Sequence, residues 1–255
     1  MSKKALPIIY NANYHTTIAN DVLKGKQEMT LQEARIIRLV ITQVAKDDTD
    51  LKTYTCNIQD LATFLGIADG NLYRDVQHIC GNLVQRAVWV GTGNPKNPWK
   101  VLPWLQLAEY DGAGTITLML SEAMRPYVLE LDKYFTQYQL ENILQMSSFY
   151  GIRMYELLKC NEYKNGEYQE YSIDFLRQYF SCEKKYSVFK DFRRRVLEVA
   201  IREINNKSDL YIDYIEYKIT RRKTTSIKFA VFDNYDVMKN RKQLKEDNQL
   251  KLGMV

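Results

Sequence analysis

Histidine and cysteine are scarce in this sequence. The 255 residues include two histidines and four cysteines, at His15, His78, Cys56, Cys80, Cys160 and Cys182. The two histidines are far apart in the chain, which excludes a metal site built on a histidine pair. No two cysteines have C-x-x-C spacing, and no charged head, apolar run and cleavage site open the chain. We therefore expect a reduced, cytoplasmic protein.

Long apolar runs and nucleotide-binding motifs are also missing. No uninterrupted apolar run approaches the roughly 20 residues that a membrane-spanning helix needs, so we expect no membrane partner. A G-x-x-x-x-G-K-S/T phosphate loop is absent, which argues against an ATPase. Asp47, Asp48 and Asp50 lack EF-hand spacing and are interpreted as a solvated loop. We accordingly predict no cofactor, no metal ligand and no catalytic residue.

Positive charge is present in modest excess and is unevenly distributed. The net charge is +5, with 14 basic and 14 acidic residues over 1–133 but 22 and 17 over 134–255. Within residues 184–228 the count is 13 basic against 6 acidic. A local surplus of this kind is typical of an anion-binding surface. The 45% hydrophobic content suits one large globular domain or two small ones.

The first half of the chain has the order of a helix-turn-helix followed by strands. A helix is predicted from Thr30, where Glu33 completes a capping box and apolar residues follow at helical spacing. Residues 57–91 then predict a helix, a turn at Gly66, a second helix and a strand. Further strands between residues 99 and 120 form a hairpin. A helix-turn-helix followed by a β-hairpin is a winged helix.

The same order recurs in the second half without repeating its sequence. Helices are predicted over "SSFYGIRMYELLKC", "YSIDFLRQYFSC" and residues 189–207, followed by two strands joined by "TRRKTT". We therefore predict an α+β protein of two tandem winged-helix domains, residues 1–133 and residues 134–255. Residues 132–146 are interpreted as the connector between them, and the polar tail after about residue 234 as a frayed end.

The segment 189–207, "FKDFRRRVLEVAIREINNK", predicts an amphipathic helix with three arginines near its start. At 100° per residue its apolar side chains share one arc, formed by Phe189, Phe192, Val196, Val199, Ala200 and Ile204. On the other side Arg194, Glu198 and Arg202 are four residues apart, so a solvated ion-pair ladder explains part of this surface. The ladder does not account for Lys190 and Arg193, which crowd the first turns where the helix dipole disfavours cations.

A positive helix start becomes useful when the partner is a phosphate chain. Backbone N–H groups at a helix N-terminus and arginine side chains both bind anions. A helix about 10–12 Å across fits the major groove, where an arginine can bind O6 and N7 of guanine. A second basic cluster lies in the turn of the hairpin that follows. We predict that the second half binds double-stranded DNA through Lys190, Arg193, Arg194, Arg195, Arg202, Arg221, Arg222 and Lys223.

The second helix of the first helix-turn-helix carries polar residues that could contact DNA bases, with little net charge. Asn71, Arg74 and Gln77 lie on or near its polar side and are residue types that hydrogen-bond to base edges. The net charge of residues 1–133 is zero, so this half would add sequence contact or dimer contact more than affinity. The alternative, in which Asn71 caps the helix and His78 is simply exposed, is equally consistent with the sequence.

Four motifs of the second half occur in the order found in a known family. "SSFYGIRMYELL", "FLRQYF", "FKDFRRRVLEVAIREINNKSDLYIDYIEYK" and "RRKTTSIKF" closely resemble segments of the iteron-binding Rep initiators of theta-replicating plasmids. The resemblance implies that Arg193, Arg194 and Arg195 face DNA and that Arg222 and Lys223 form a basic wing. Where this chain has Arg221, the family often has glycine. The resemblance also implies core positions at Phe192, Val196, Leu197, Ala200 and Ile204.

The resemblance further implies a function and partners. It predicts a plasmid replication initiator that binds repeated double-stranded DNA sites, called iterons, opens the origin and recruits host replication proteins. Family members commonly switch between monomers that bind the repeats and dimers that repress their own promoter, and the sequence leaves a homodimer open. A winged-helix transcriptional regulator without an origin function is the alternative, and a protein-interaction module is a third hypothesis. Initiators that nick DNA need two metal-binding histidines, which His15 and His78 cannot provide, so we expect no enzyme.

Overall fold

The chain divides into two compact units. The computed structural model describes residues 5–67, 69–91, 96, 98–162, 168–220, 223–235, 238, 239 and 243. The first unit comprises Met1–Leu144 with Tyr179–Ser181, and the second comprises Gln145–Gln178 with Cys182–Val255. Most of the predicted polar tail after residue 234 lies outside the described residues.

The first unit consists of short strands and helices. Its strands are β1 (Leu6–Pro7), β2 (His15–Ala19), β3 (Lys26–Gln27), β4 (Thr53–Asn57), β5 (Ala87–Gly91), β6 (Trp99–Pro103), β7 (Leu105–Tyr110), β8 (Thr115–Leu120) and β9 (Phe135–Gln139). Its helices are α1 (Asn20–Lys24), α2 (Leu31–Ile41), α3 (Ile58–Leu65), α4 (Leu72–Val84), α5 (Arg125–Val128) and α6 (Glu141–Leu144).

Local capping signals define where α2 begins and where α3 begins and ends. The capping box at α2 is confirmed, since Glu33 N–H donates to the Thr30 hydroxyl at 3.2 Å and Thr30 N–H donates to the Glu33 carboxylate at 2.7 Å. Asn57 caps α3 by accepting from Gln59 N–H at 2.7 Å. Gly66 ends α3 with φ of 70°, a left-handed conformation that favours glycine. The predicted helix-turn-helix of α3 and α4 is therefore confirmed.

The sheet of the first unit completes its winged helix. Its strand order is β1-β4-β8-β7, and β7 and β8 form the antiparallel hairpin of the wing. Asp111 shapes the turn of this hairpin by accepting from Ala113 N–H at 2.7 Å and Thr115 N–H at 2.9 Å. Strands β3, β5 and β6 form a separate small sheet, so the β5–β6 hairpin is inserted between α4 and the wing.

The predicted connector contains a strand of the first unit. β9 pairs antiparallel with β2, from His15 opposite Gln139 to Ala19 opposite Phe135. The buried residues Thr136 and Tyr138 alternate along β9, as expected for a strand with one face in the core. These contacts belong to the first unit, which is why the division falls after Leu144, whereas the predicted boundary lay after residue 133.

The second unit repeats the order of strand, helix-turn-helix and wing, without an inserted hairpin and with longer wing strands. Its elements are α7 (Phe149–Lys159), β10 (Tyr168–Ser172), α8 (Ile173–Tyr179), α9 (Phe189–Phe192), a π-helical turn (Arg193–Leu197), α10 (Glu198–Lys207), β11 (Leu210–Thr220) and β12 (Lys223–Asp233). The sheet order is β10-β12-β11. In both units the strand that precedes the helix-turn-helix pairs with the last strand of the wing. The predicted α+β fold of two tandem winged helices is confirmed.

Buried contacts determine which side of the helix 189–207 faces solvent. The predicted core residues are fully buried, namely Phe192, Val196, Leu197, Ala200 and Ile204. The buried carboxylate of Glu203 accepts from the N–H groups of Ser147 at 2.7 Å and Ser148 at 3.1 Å, which ties α10 to the start of α7. Asn205 accepts from Ile212 N–H at 2.7 Å and donates to Ile212 C=O at 2.9 Å, which ties α10 to β11. The opposite side of the helix is left exposed.

Candidate nucleic-acid interface

The three consecutive arginines lie in a π-helical turn. Glu198 N–H donates to the C=O of Arg193, five residues earlier, instead of to the residue four earlier that an α-helix would use. The wider turn aligns residues five apart, which in an α-helix would point about 140° apart. As a result the side chains of Arg193 and Glu198 meet, with Nε and Oε1 3.2 Å apart. The prediction of a regular helix did not anticipate this turn.

Four basic side chains lie on the exposed side of this helix. Arg194 is 61% exposed and has a distant ion pair with Asp191 at 3.5 Å. The guanidinium of Arg195 lies 5.8 Å from the ring centroid of Tyr186, an arrangement suited to a cation–π contact. Lys190 and Arg202 are also exposed. Because one helix side combines these cations, it can contact several phosphates of one strand at the same time.

The loop before the helix supports this surface and was missed by the sequence analysis. Arg177 of α8 donates to the C=O groups of Lys185 at 3.2 Å, Tyr186 at 2.7 Å and Ser187 at 3.2 Å. Its guanidinium also stacks 4.7 Å from the ring centroid of Phe192. These bonds hold the loop that carries Tyr186 and exposed lysines beside the arginines. The sequence signals were the family-like segment "FLRQYF", which contains Arg177, and the basic window that begins at residue 184.

Arg193 differs from its two neighbours because it is paired within the unit. Its Nη1 lies 3.0 Å from Oε1 of Glu216 on β11, in addition to the contact with Glu198. The hydrogen bond with Glu216 raises the pKa of Arg193. The other oxygen of Glu216 accepts from the hydroxyl of Thr224 on β12 at 3.3 Å. Arg193 thus connects the helix to both strands of the wing.

The wing of the second unit is a long antiparallel hairpin. Thr220 pairs with Lys223, so two residues separate β11 from β12, and the register shifts between Tyr217 and Lys218 and again before Thr220. Such irregularities increase the local twist of a hairpin. Arg221 and Arg222 lie outside the described residues, as does the side chain of Lys223. Their predicted contact with DNA stays a prediction.

The second helix of the first unit presents a polar surface that is nearly neutral. Asn71, Arg74 and Gln77 are exposed on or just before α4. Arg74 pairs with Asp75 at 3.2 Å. Asn71 occupies the N-cap position, but its side chain makes no capping hydrogen bond. The side chain is therefore available for a contact outside the helix.

An aromatic pair in the first unit was also missed. The rings of Tyr73 on α4 and Tyr110 on β7 meet edge to face with centroids 6.0 Å apart, and both are exposed. They join the helix to a wing whose strands and turn carry Glu109 and Asp111 but no lysine or arginine. The first wing is consequently acidic where the second wing is basic.

Metal ligation and membrane insertion find no support in the described part of the chain. Among those residues no three histidine, cysteine, aspartate or glutamate side chains cluster as metal ligands would. No described helix combines the length and apolar character needed to cross a membrane.

A helix-turn-helix with a wing, present twice and basic on one exposed helix side, defines a class of tandem winged-helix proteins. This chain belongs to the initiator replication protein family, because the family profile "Initiator Replication protein, WH1" matches residues 16–159 and "Initiator Rep protein, WH2" matches residues 172–231. The predicted resemblance to Rep initiators is confirmed. The match to the first profile extends through α7.

This chain is similar to a curated protein and to a solved structure. The PI protein of Escherichia coli is 26% identical over 144 residues, which cover 51% of this chain and 47% of that protein. The match thus spans about half the length of this curated relative. The crystal structure of Pi initiator protein in complex with iteron DNA has a TM-score of 0.70 at 20% identity, covering 88% of this chain and 99% of that one. The structural likeness establishes the fold.

Proposed function

We propose that this protein is a plasmid replication initiator that binds repeated double-stranded DNA sites at an origin. Its family membership and its similarity to a Pi initiator that was crystallised with iteron DNA support this function. The observation that carries it is the exposed basic side of the helix 189–207, with Lys190, Arg194, Arg195 and Arg202. We infer that the bound protein opens the origin and recruits host replication proteins.

The second unit supplies most of the affinity in this proposal. Its helix enters the major groove, where Arg194 or Arg195 can bind a guanine edge with two hydrogen bonds. Lys190 and Arg202 neutralise phosphates and release counterions, which makes binding salt-dependent. Arg221, Arg222 and Lys223 follow the backbone beside the groove. Several copies on adjacent repeats bend the duplex, and flexible base steps lower the cost of that bend, which is on the order of 1–6 kcal/mol.

The first unit adds sequence contact in this proposal. Asn71, Arg74 and Gln77 read base edges from α4, while the acidic wing turn at Asp111 stays away from phosphates. A homodimer formed through this unit is the second form that we propose. The protein acts without enzymatic activity, cofactor or metal, in the cytoplasm where plasmid DNA is found.

The experiment has two parts, one for DNA binding and one for origin function. The purified protein is used to select duplexes from a random pool, and enrichment of one repeated sequence is expected. A plasmid that carries only this gene and its selected repeats is then introduced into a suitable host, where replication is expected. Tight repeat binding without replication would favour the transcriptional regulator, and no sequence-specific selection would favour a protein-interaction module.

A further inference from the structure

The contact between Arg193 and Glu216 divides the three arginines into two kinds. Arg194 and Arg195 are exposed, whereas Arg193 is 36% exposed and lies against a Glu216 carboxylate that is itself only 17% exposed. An ion pair with one largely buried partner is screened less by salt than a surface pair. Arg193 is therefore engaged within the protein at salt concentrations that would weaken the contacts of Arg194.

The local charge at Arg193 is also unfavourable for a phosphate. Two carboxylates, from Glu198 and Glu216, lie 3.2 Å and 3.0 Å from its guanidinium nitrogens. One positive and two negative charges leave a net charge of −1 at this point of an otherwise basic surface. A phosphate that approached Arg193 would have to displace a carboxylate and would meet repulsion from the other one.

The π-helical turn and the wing together hold this arrangement. The turn brings Glu198 beside Arg193 although the two are five residues apart, and β11 supplies Glu216 from the wing. Thr224 holds the second oxygen of Glu216, so the carboxylate is oriented by two strands and not only by the arginine. The Glu216 carboxylate therefore occupies a hydrogen-bonding position of the Arg193 guanidinium.

We infer that Glu216 is a specificity-determining residue that competes with DNA phosphates for Arg193 and so suppresses binding to DNA of arbitrary sequence. Non-specific binding depends almost entirely on phosphate neutralisation, whereas specific binding also has base contacts. A protein that binds non-specifically is free to shift until each available cation meets a phosphate, whereas base contacts fix the protein on its specific site, so withholding one cation weakens non-specific binding more. This inference rests on the proposed function and adds to it a residue that rejects the wrong DNA.

The test replaces the carboxylate by its neutral isostere, Glu216→Gln, in the full chain. Affinity is measured against salt concentration on two probes, a duplex of random sequence and the duplex selected by the protein. We expect affinity for the random duplex to rise about threefold at moderate salt. The salt slope, which is the slope of log affinity against log salt concentration, should steepen by about 0.9, the value for one additional phosphate contact. Affinity for the selected duplex should rise less, so that the ratio between the two probes falls.

A charge-matched control separates a local effect from the change in net charge. Glu170 on β10 lies in the same unit and pairs with Lys228 at 3.5 Å, so Glu170→Gln removes the same charge and releases a different cation. This variant should leave the salt slope unchanged. A second variant, Glu198→Gln, removes the other carboxylate at Arg193 and should steepen the slope by less than Glu216→Gln does. Thermal unfolding of each variant shows whether it is folded.

Arg193→Ala provides the decisive comparison. In the wild-type background it should leave the salt slope unchanged, and in the Glu216→Gln background it should abolish the gain. The inference is overturned if Glu216→Gln weakens binding or leaves the slope unchanged while wild-type protein binds DNA normally. It is also overturned if Arg193→Ala alone flattens the slope as much as Arg194→Ala. Failure of the proposed function has a different result, because the wild-type protein would then bind neither duplex.

Discussion

The two winged helices share their topology and differ in charge. In each, the strand before the helix-turn-helix pairs with the last strand of the wing, and the helices of the helix-turn-helix lie between these two strands in the chain. The second unit places four exposed cations on this helix and follows it with a basic wing, whereas the first has Arg74 paired with Asp75 and a wing with Glu109 and Asp111. One architecture thus carries a strongly basic surface in the second unit and a nearly neutral surface in the first.

The largest expected effect is a loss of folding stability when a buried side chain of the helix 189–207 or of α4 is truncated. Phe192 is fully buried beneath the arginines and stacks with Arg177, so Phe192→Ala should destabilise the second unit by about 3–5 kcal/mol. Leu83 occupies a fully buried position on α4, and Leu83→Ala should cost about 2–5 kcal/mol. Urea unfolding of both variants measures these costs. Phe192→Leu, which keeps most of the volume, is the control, and a loss equal to that of the alanine variant would contradict a cavity effect.

Loss of DNA affinity should be larger for a substitution on the helix 189–207 than for one on α4. Arg194→Ala should weaken binding to the selected repeat by about 1–3 kcal/mol if Arg194 binds a guanine. Arg74→Ala should change the salt slope less than Arg194→Ala does, because Arg74 already pairs with Asp75. Arg194→Lys keeps the charge and should retain the slope while it loses discrimination at one base position. Equal effects at Arg194 and Arg74, measured by titration at several salt concentrations, would remove the proposed division of roles.

The wings provide a smaller test of the same division. Lys223→Ala should reduce the salt slope by about 0.9 with little effect on sequence preference, as expected for a phosphate contact. The reverse change in the first unit is Ala113→Lys, which adds a cation at an exposed position of the acidic wing turn. Ala113→Lys should leave the slope unchanged if that wing stays away from DNA. A slope that steepens would place the first wing beside phosphates.

The smallest expected effect is a pH dependence in the first wing. Hydrogen bonds from the N–H groups of Thr115 and Ala113 lower the pKa of Asp111. The ionised form is favoured in the folded state, so its contribution to stability is present above the unfolded pKa of about 3.9 and is lost as the pH falls through the folded value. Titration of the Asp111 carboxyl by NMR should give a midpoint below 3.9. A midpoint at or above that value would mean that the turn is not held by these bonds.

Features encoded by adjacent residues could be predicted from the sequence. The capping box at Thr30, the cap at Asn57 and the turn at Gly66 each depend on residues within one helical turn, and all three are found. The apolar side of the helix 189–207 is found as well, since Phe192 and Ile204 are fully buried. The winged-helix order followed from these local signals.

Features that depend on distant residues could not be predicted. β4 and β10 are five-residue strands whose partners, β8 and β12, lie more than fifty residues away in the chain. β9 was assigned to a connector because its partner, β2, lies near the start of the sequence. The ion pair between Arg193 and Glu216 joins a helix to a strand, and no local pattern indicates it.

The π-helical turn gives the protein an unusually simple route to altered recognition. A π turn contains one more residue than the α-helical turn it replaces, and here that turn includes three identical residues. Loss of a single arginine codon would remove that extra residue and restore regular winding, while the residues on either side of the turn keep nearly the same orientation. Because loss of any of the three codons yields the same shortened chain, this in-frame deletion is a threefold target for mutation, and it would remove one cation while Phe192 and Val196 stay in the core.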